Sequence, residues 1–249
     1  MKSFDHLKAV VLAAGKGTRL NSDGAGIPKV MRTAAGRPLI SYVLDALPVS
    51  GRDVIIVVGY MRQQVIDAFP GNEFAVQEEQ RGTGHAVMSA ASALQGFDGD
   101  VLVCCGDMPL VTSETYAAMV EEHRAGGNDC TILSGFMDEP GSYGRIVRDG
   151  EGNFVSITEA RDCTPEQLKI NEINSGLYVF SCEKLLESLG DISTDNAQGE
   201  YYLTDVPAIM LRRGWKVGVC ARDLGDELMG VNTVQELEKA ESIIKGERS

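Results

Sequence analysis

A chain of 249 residues is long enough for one large α/β domain, and its 43% hydrophobic and 24% charged content is ordinary for a globular fold. The formal net charge of −13 argues against general affinity for nucleic acid or an anionic membrane. Any phosphate this protein holds must therefore meet locally concentrated cations or a metal.

Along the chain, strand-like and helix-like segments alternate. The apolar run Lys8–Ala14 stops at glycine and reads as a buried strand, and 39–47 has helical spacing. A second buried strand, 53–59, precedes a helix over 63–69; a short strand, 74–77, precedes a helix over 84–94. A third long strand spans 100–107, and a helix over 112–124 begins at Thr112 or Ser113 as N-cap with Glu114 in its first turn. Continuous apolar strands separated by helices predict a mostly parallel sheet covered on both faces.

After about residue 130 the style changes to "TILSGF", "YGRIVRDGEGNFVSITEA" and "EINSGLYVF", strands whose middle member turns at Asp149–Asn153. Helices at 182–189 and 200–213, a strand at 215–221 and a polar helix at 234–245 complete the chain. The expected architecture is a doubly wound, Rossmann-like α/β domain with β-rich insertions forming one side of a cleft. In such sheets ligands sit beyond the carboxyl ends of the strands, where the loops after Ala14, Gln77 and Gly106 fall. Six cysteines without a C-x-x-C pair, and an N-terminal run "AVVLAA" too short for a signal sequence, point to a reduced cytoplasmic protein.

"VVLAAGKGTRLNSDGAGIPK" (10–29) is the segment that points to chemistry. It lacks both the third glycine of a dinucleotide fingerprint and the G-x-x-x-x-G-K-[ST] of a P-loop. Small residues at Ala13, Ala14, Gly15 and Gly17 let backbone N–H groups approach a ligand, while Arg19 and Lys29 add charge. Lys16 lies in the same loop, and Pro28 stiffens the backbone before Lys29.

The pattern L-A-A-G-x-G-T-R-L followed by P-K resembles the signature of the sugar-phosphate nucleotidylyltransferases. "EEQRGTGHAV", "GDMPLVTSET", "SYGRIVRD", "EINSG", "DNAQGEYYLTD" and "GVNT" are similar, in order, to the uridyltransferase half of the bifunctional N-acetylglucosamine-1-phosphate uridyltransferase/glucosamine-1-phosphate acetyltransferases. The likeness runs from about residue 8 to 245. It implies a nucleotidyltransferase domain over 1–232 and a connecting helix over 233–249. Gly24-Ala25-Gly26 reads as an insert, and the left-handed β-helix that carries acetyl transfer has no counterpart here, so no acetylation is expected.

The resemblance implies Mg²⁺-dependent transfer of uridylyl from UTP to N-acetylglucosamine 1-phosphate. Asp107 and Asn232 match the metal ligands, a pairing that suits Mg²⁺. Arg19 and Lys29 match the groups that stabilise phosphate charge. Gln77, Gly82 and Thr83, with Ala13, Ala14, Gly15 and Gly17, match the UTP-binding positions. Gly144, Glu159, Asn174, Tyr202 and Thr204 match the hexosamine-binding positions. His85 reads as the start of a helix, and Glu200, Tyr201 and Met88, Met108, Met119 and Met210 as packing or surface.

Two other readings compete. A transferase for another base or sugar 1-phosphate shares the opening loop; "QRGTGHA", "EINSG" and "NAQGEYYLTD" argue against it. A non-catalytic nucleotide-sugar sensor predicts loss of Arg19, Lys29 or Asp107, and all three are present. Expected partners are the two substrates, without nucleic acid or membrane, in a monomer or weak homo-oligomer.

Overall fold

The structure, a computed structural model, describes residues 4–15, 17, 20 and 26–247. In chain order its strands are β1 (Leu7–Ala13), β2 (Thr33–Ala34), β3 (Arg37–Pro38), β4 (Val54–Val58), β5 (Glu73–Val76), β6 (Asp100–Cys105), β7 (Cys130–Phe136), β8 (Arg145–Arg148), β9 (Phe154–Thr158), β10 (Glu172–Ser181) and β11 (Val217–Ala221). The helices are α1 (Leu39–Ala46), α2 (Arg62–Ala68), α3 (Thr83–Ser89), α4 (Ala91–Leu94), α5 (Ser113–Gly126), α6 (Cys182–Leu189), α7 (Val206–Arg212) and α8 (Val234–Ile244).

The central sheet has the order β11-β7-β10-β6-β1-β4-β5. β1 pairs in parallel with both β4 and β6, β4 with β5, and β7 with β11. β10 runs antiparallel between β6 and β7, and the β8–β9 hairpin hangs from it. The expected mostly parallel α/β sheet and its β-rich insertion are both found.

Side-chain alternation explains the two covered faces. Ala9 and Val11 of β1 join Val54, Ile56 and Val58 of β4 in one core, with Ile40, Val43, Tyr116 and Met119 from α1 and α5. Val10 joins Ile55 and Val57 in the other, with Ala86, Val87 and Leu185 from α3 and α6. Every residue of β4 is buried, which is why it reads as an unbroken apolar run. Truncating such a position, for example Ile56→Ala, costs about 2–5 kcal/mol.

Two expected helices are shorter than their sequence patterns. The 84–94 helix breaks at Ala90, the C-cap of α3 and the N-cap of α4. The 200–213 helix begins only at Val206, after a 3-10 turn at Leu203–Asp205. Pro207 lacks an N–H and crowds the carbonyl four residues earlier, so the helix cannot extend back. Residues 200–202 are left free for the candidate site.

α5 starts at Thr112, whose hydroxyl accepts from the Thr115 N–H at 3.3 Å. α8 packs Ala240, Leu237 and Ile244 against Leu20, Ala34, Leu39 and Val231. The six cysteines are free. No described helix is long and apolar enough to cross a membrane.

Candidate active site

β1, β4, β5 and β6 all deliver their carboxyl ends to one edge of the sheet. The chain proceeds from β1 to β4 and β5 on one side, then returns to place β6 on the other, so the topological switch lies beside β1. Ala13 and Ala14 are buried there at the end of β1, with Gly15 exposed just beyond.

A cavity of about 220 Å³ opens at this edge, lined by Leu12, Ala14, Gly15, Gln77, Gln80, Gly82, Thr83, Ala86 and Glu200. Gln77 follows β5, and its N–H donates to the Val58 carbonyl at 2.8 Å. Gly82 has φ +105°, and a Cβ there would lie 2.5 Å from the Tyr201 carbonyl oxygen. Glycine is thus required twice over, by backbone conformation and by space. Tyr201 pairs with this loop through its own N–H to the Arg81 carbonyl and its carbonyl to the Gly84 N–H, both at 2.8 Å. Glu200, expected as packing or surface, lines the cavity, and Tyr201 beside it braces the Gly82 loop. Their apparent helical spacing concealed an extended segment.

On the other side of the β1 end lies a charged cluster. Lys29 opens a 3-10 turn capped by Pro28, and the buried Val30 anchors that turn against Gly106. The Lys29 ammonium pairs with Asp107, the second residue after β6, and donates to Asn232 Oδ1 at 2.6 Å. Gly17, at φ +58°, would carry a Cβ 2.5 Å from the Lys29 Cβ, so this close approach also needs glycine.

Asn232 is held by neighbours on every side. The Val231 N–H donates to the Asp107 carbonyl at 2.9 Å. The Asn232 N–H donates to the Glu236 carboxylate at 2.7 Å, and its Nδ2 to the Gly230 carbonyl at 3.0 Å, leaving Oδ1 for Lys29. Glu236 belongs to the capping box of α8, formed with Thr233. Two hard oxygens from distant parts of the chain thus converge on one cation, here an ammonium. A carboxylate and an amide oxygen are donors that Mg²⁺ accepts, and it is commonly held by few protein groups.

The hairpin side supplies a third group of residues. Glu159 follows β9 and accepts from the Thr204 hydroxyl at 3.0 Å. Burial raises its pKa, and the charges of Asp162, Asp205 and Glu200 add to the rise against the Thr204 hydrogen bond. Gly144 lies alongside, its added Cβ falling 3.6 Å from Glu159 Oε2. Asn174 is committed within the protein: Nδ2 donates to the Tyr178 hydroxyl at 2.7 Å and Oδ1 accepts from the Gly176 N–H at 3.2 Å. Its backbone N–H meets the Gly144 carbonyl at 2.9 Å. The Tyr202 hydroxyl accepts from Gln198 Nε2 at 2.8 Å and donates to Asp162 at 3.3 Å. The side chains of Asn174 and Tyr202 therefore order this wall from within.

Arg145 was not foreseen. Its guanidinium is buried and donates to the carbonyls of Tyr143 and Gly141, the latter at 3.2 Å, pinning the loop that carries Gly144. The "YGR" triplet that leads into β8 was its sequence signal.

The segment 200–204 joins the cavity to the hairpin side. The Thr83 hydroxyl accepts from the Leu203 N–H at 3.1 Å, one residue before Thr204 reaches Glu159. Of the sequence-derived set, Ala14, Gly15, Gln77, Gly82 and Thr83 share one cavity; Gly17, Lys29, Asp107 and Asn232 share one cluster; Gly144, Glu159 and Thr204 share one wall. Arg19, Lys16, Gly24 and Ala25 lie outside the described residues. Gly26, the last residue of the insert, accepts from Gln64 Nε2 at 3.2 Å.

Relatives share this chain's sequence and fold. The "Bifunctional protein GlmU" of Clostridium novyi is 44% identical over 240 residues, which are 95% of this chain and 52% of that protein. That of Caldanaerobacter subterraneus is 43% identical over 245 residues, 97% of this chain and 52% of its own length. The chain thus spans about half the length of these curated relatives. A solved Bacillus anthracis structure, named for a glucose-1-phosphate thymidylyltransferase, shares the fold at a TM-score of 0.75 and 19% identity, covering 95% of this chain and 94% of its own. Residues 9–193, from β1 through the loop, Asp107 and the hairpin, match the MobA-like NTP transferase domain, and the chain belongs to that family of nucleotidyltransferases.

Proposed function

We propose that this nucleotidyltransferase transfers a uridylyl group from UTP to N-acetylglucosamine 1-phosphate, giving UDP-N-acetylglucosamine and pyrophosphate. The observation that carries the reading is the convergence of Lys29, Asp107 and Asn232 beside the end of β1, next to a cavity lined by Gln77, Gly82 and Thr83. The relatives named GlmU add support, because they match this chain along nearly all of its length.

The sugar-phosphate oxygen attacks the α-phosphorus in line, forming a P–O bond as the bond to the β-phosphate oxygen breaks. Its nucleophile is already an anion, so no general base is needed. Holding anions together and stabilising the charge on departing pyrophosphate become the main tasks. Lys29 and Arg19 serve as the cations for that charge. Asp107 and Asn232 would hold Mg²⁺, which when bound neutralises charge among the phosphates.

Ala13, Ala14, Gly15 and Gly17 offer backbone to the triphosphate, and Gln77, Gly82 and Thr83 receive the base. Gly144, Glu159 and Thr204 receive the hexosamine, with Asn174 and Tyr202 ordering the wall. In this reading residues 1–232 form the transferase unit and 233–249 a C-terminal segment that carries α8, in a cytoplasmic monomer or weak homo-oligomer.

The test is pyrophosphate release across four NTPs and a panel of sugar 1-phosphates with Mg²⁺. Turnover should be highest with UTP and N-acetylglucosamine 1-phosphate; none with that pair would sink the reading.

A further inference from the structure

Tyr143 is half-buried in the loop that leads into β8, and both its main chain and its side chain are committed. Its N–H donates to the Pro140 carbonyl at 3.1 Å, closing a tight turn. Its carbonyl accepts from the guanidinium of Arg145, which is 2% exposed and also donates to the Gly141 carbonyl. The carbonyl and the N–H of one trans peptide point in opposite directions, so the grip of Arg145 on Tyr143 fixes where the Gly144 N–H is aimed. The Asn174 N–H donates to the Gly144 carbonyl at 2.9 Å and ties the same loop to β10.

The side chain reaches the other half of the site. The Tyr143 hydroxyl donates to the Leu228 carbonyl at 2.8 Å, 85 positions further along the chain. Leu228 ends a 3-10 turn, Gly225–Leu228, and is pressed onto β7 so closely that a Cβ on Gly135 would lie 2.6 Å from its side chain. Beyond it the Val231 N–H meets the Asp107 carbonyl, and Asn232 follows. Burial pushes the Tyr143 phenol up in pKa; the Gly230 backbone at its oxygen opposes that rise, and the charges of Glu236 and Asp107 add to it. The phenol oxygen thus stands among the groups that hold Asn232 in place.

From these contacts we infer that Tyr143 is a positioning residue whose hydroxyl ties the wall carrying Gly144 to the segment carrying Asn232. One oxygen then sets the geometry of the sugar-phosphate side and the metal side together. The main chain of Tyr143 belongs to the first through Arg145 and Asn174, and its side chain to the second through Leu228. A phenylalanine ring at this position would still pack against the core, but the Leu228 carbonyl would lose its donor and the segment could shift relative to Gly144. The inference rests on the reading of this chain as a nucleotidyltransferase acting on a hexosamine 1-phosphate.

The test sets Tyr143→Phe beside Ser188→Ala, both in the full chain. Ser188 is fully buried in α6, where its hydroxyl donates to the Lys184 carbonyl at 2.7 Å, so its loss deletes a comparable hydrogen bond on a helix outside the site. Thermal unfolding shows that each variant is folded and sizes its loss of stability. In Tyr143→Phe, Mn²⁺ affinity without nucleotide, read by electron paramagnetic resonance, should fall about fivefold, and KM for N-acetylglucosamine 1-phosphate should rise about fivefold. KM for UTP at saturating Mg²⁺ should stay within about twofold, because Tyr143 does not line the cavity at the end of β1. Ser188→Ala should lose similar stability and move none of the three. A folded Tyr143→Phe that leaves either Mn²⁺ affinity or the sugar-phosphate KM unchanged overturns this inference alone, as do equal shifts in Ser188→Ala. Absence of UTP turnover in the unsubstituted chain overturns the functional reading and the inference with it.

Discussion

Lys29 donates to the Asn232 amide oxygen at 2.6 Å across 203 positions of sequence, and the same nitrogen pairs with Asp107. An ammonium thus stands where two oxygens converge, and a divalent cation would compete for the same donors. Lys29→Met should bind Mn²⁺ more tightly without nucleotide, by about fivefold, since a partly exposed pair is worth at most roughly 1 kcal/mol. Its pyrophosphate release should nevertheless fall by about 10²-fold or more, because the charge on the departing group loses a partner. Asp107→Ala should lose Mn²⁺ binding outright. Electron paramagnetic resonance titration of Mn²⁺ decides; weaker binding in Lys29→Met would remove the competition.

Gly17→Ala tests how closely the loop must approach Lys29. A left-handed φ of +58° and a Cβ 2.5 Å from the Lys29 Cβ leave no room for alanine. The backbone conformation alone costs roughly 1–2 kcal/mol. Displacement of Lys29 should lower kcat by about 10²-fold, more than stability would suggest. Steady-state kinetics beside thermal unfolding would show this; a folded variant with kcat intact would contradict it.

Glu236 links α8 to the charged cluster, accepting from the N–H groups of both Asn232 and Thr233. Glu236→Ala should lose about 1 kcal/mol, a fall of about 2–4 °C in Tm, and weaken Mn²⁺ binding through a looser Asn232. Glu236→Gln keeps an acceptor and should recover both. Equal metal affinity in the Ala variant would separate the cap from the site.

Glu159 costs stability where it stands, and in the proposed reading it binds the hexosamine. Burial and neighbouring carboxylates raise its pKa in the folded protein, so the folded state holds this proton more tightly than the unfolded one. Stability therefore declines as pH rises from the unfolded carboxylate value through the raised folded value, then levels off. Glu159→Gln should be at least as stable as the parent at neutral pH, its advantage growing over that window. KM for the sugar phosphate should rise about tenfold. Thermal unfolding from about pH 4 to 8 checks the first expectation and kinetics the second; a Gln variant less stable at pH 8 than the parent would refute the sign.

The strands were readable because their information is local. Five consecutive buried residues in β4 leave an apolar run that any window detects. The N-cap at Thr112 and the turn at Asp149–Asn153 are similarly written within a few residues. Segment 200–205 was misread for the opposite reason: its periodicity suits a helix, while its backbone is claimed by Arg81 and Gly84, more than a hundred positions away. Site residue types and their order along the chain were legible, and with them the family. Tertiary structure alone decided that Lys29 stands between Asp107 and Asn232, that Glu236 braces Asn232, and that Thr204 reaches Glu159. The physical reason is common to all three. Periodicity records which way a side chain faces, whereas a hydrogen bond needs two groups within about 3 Å of each other, a distance that only the packed sheet and its loops can set.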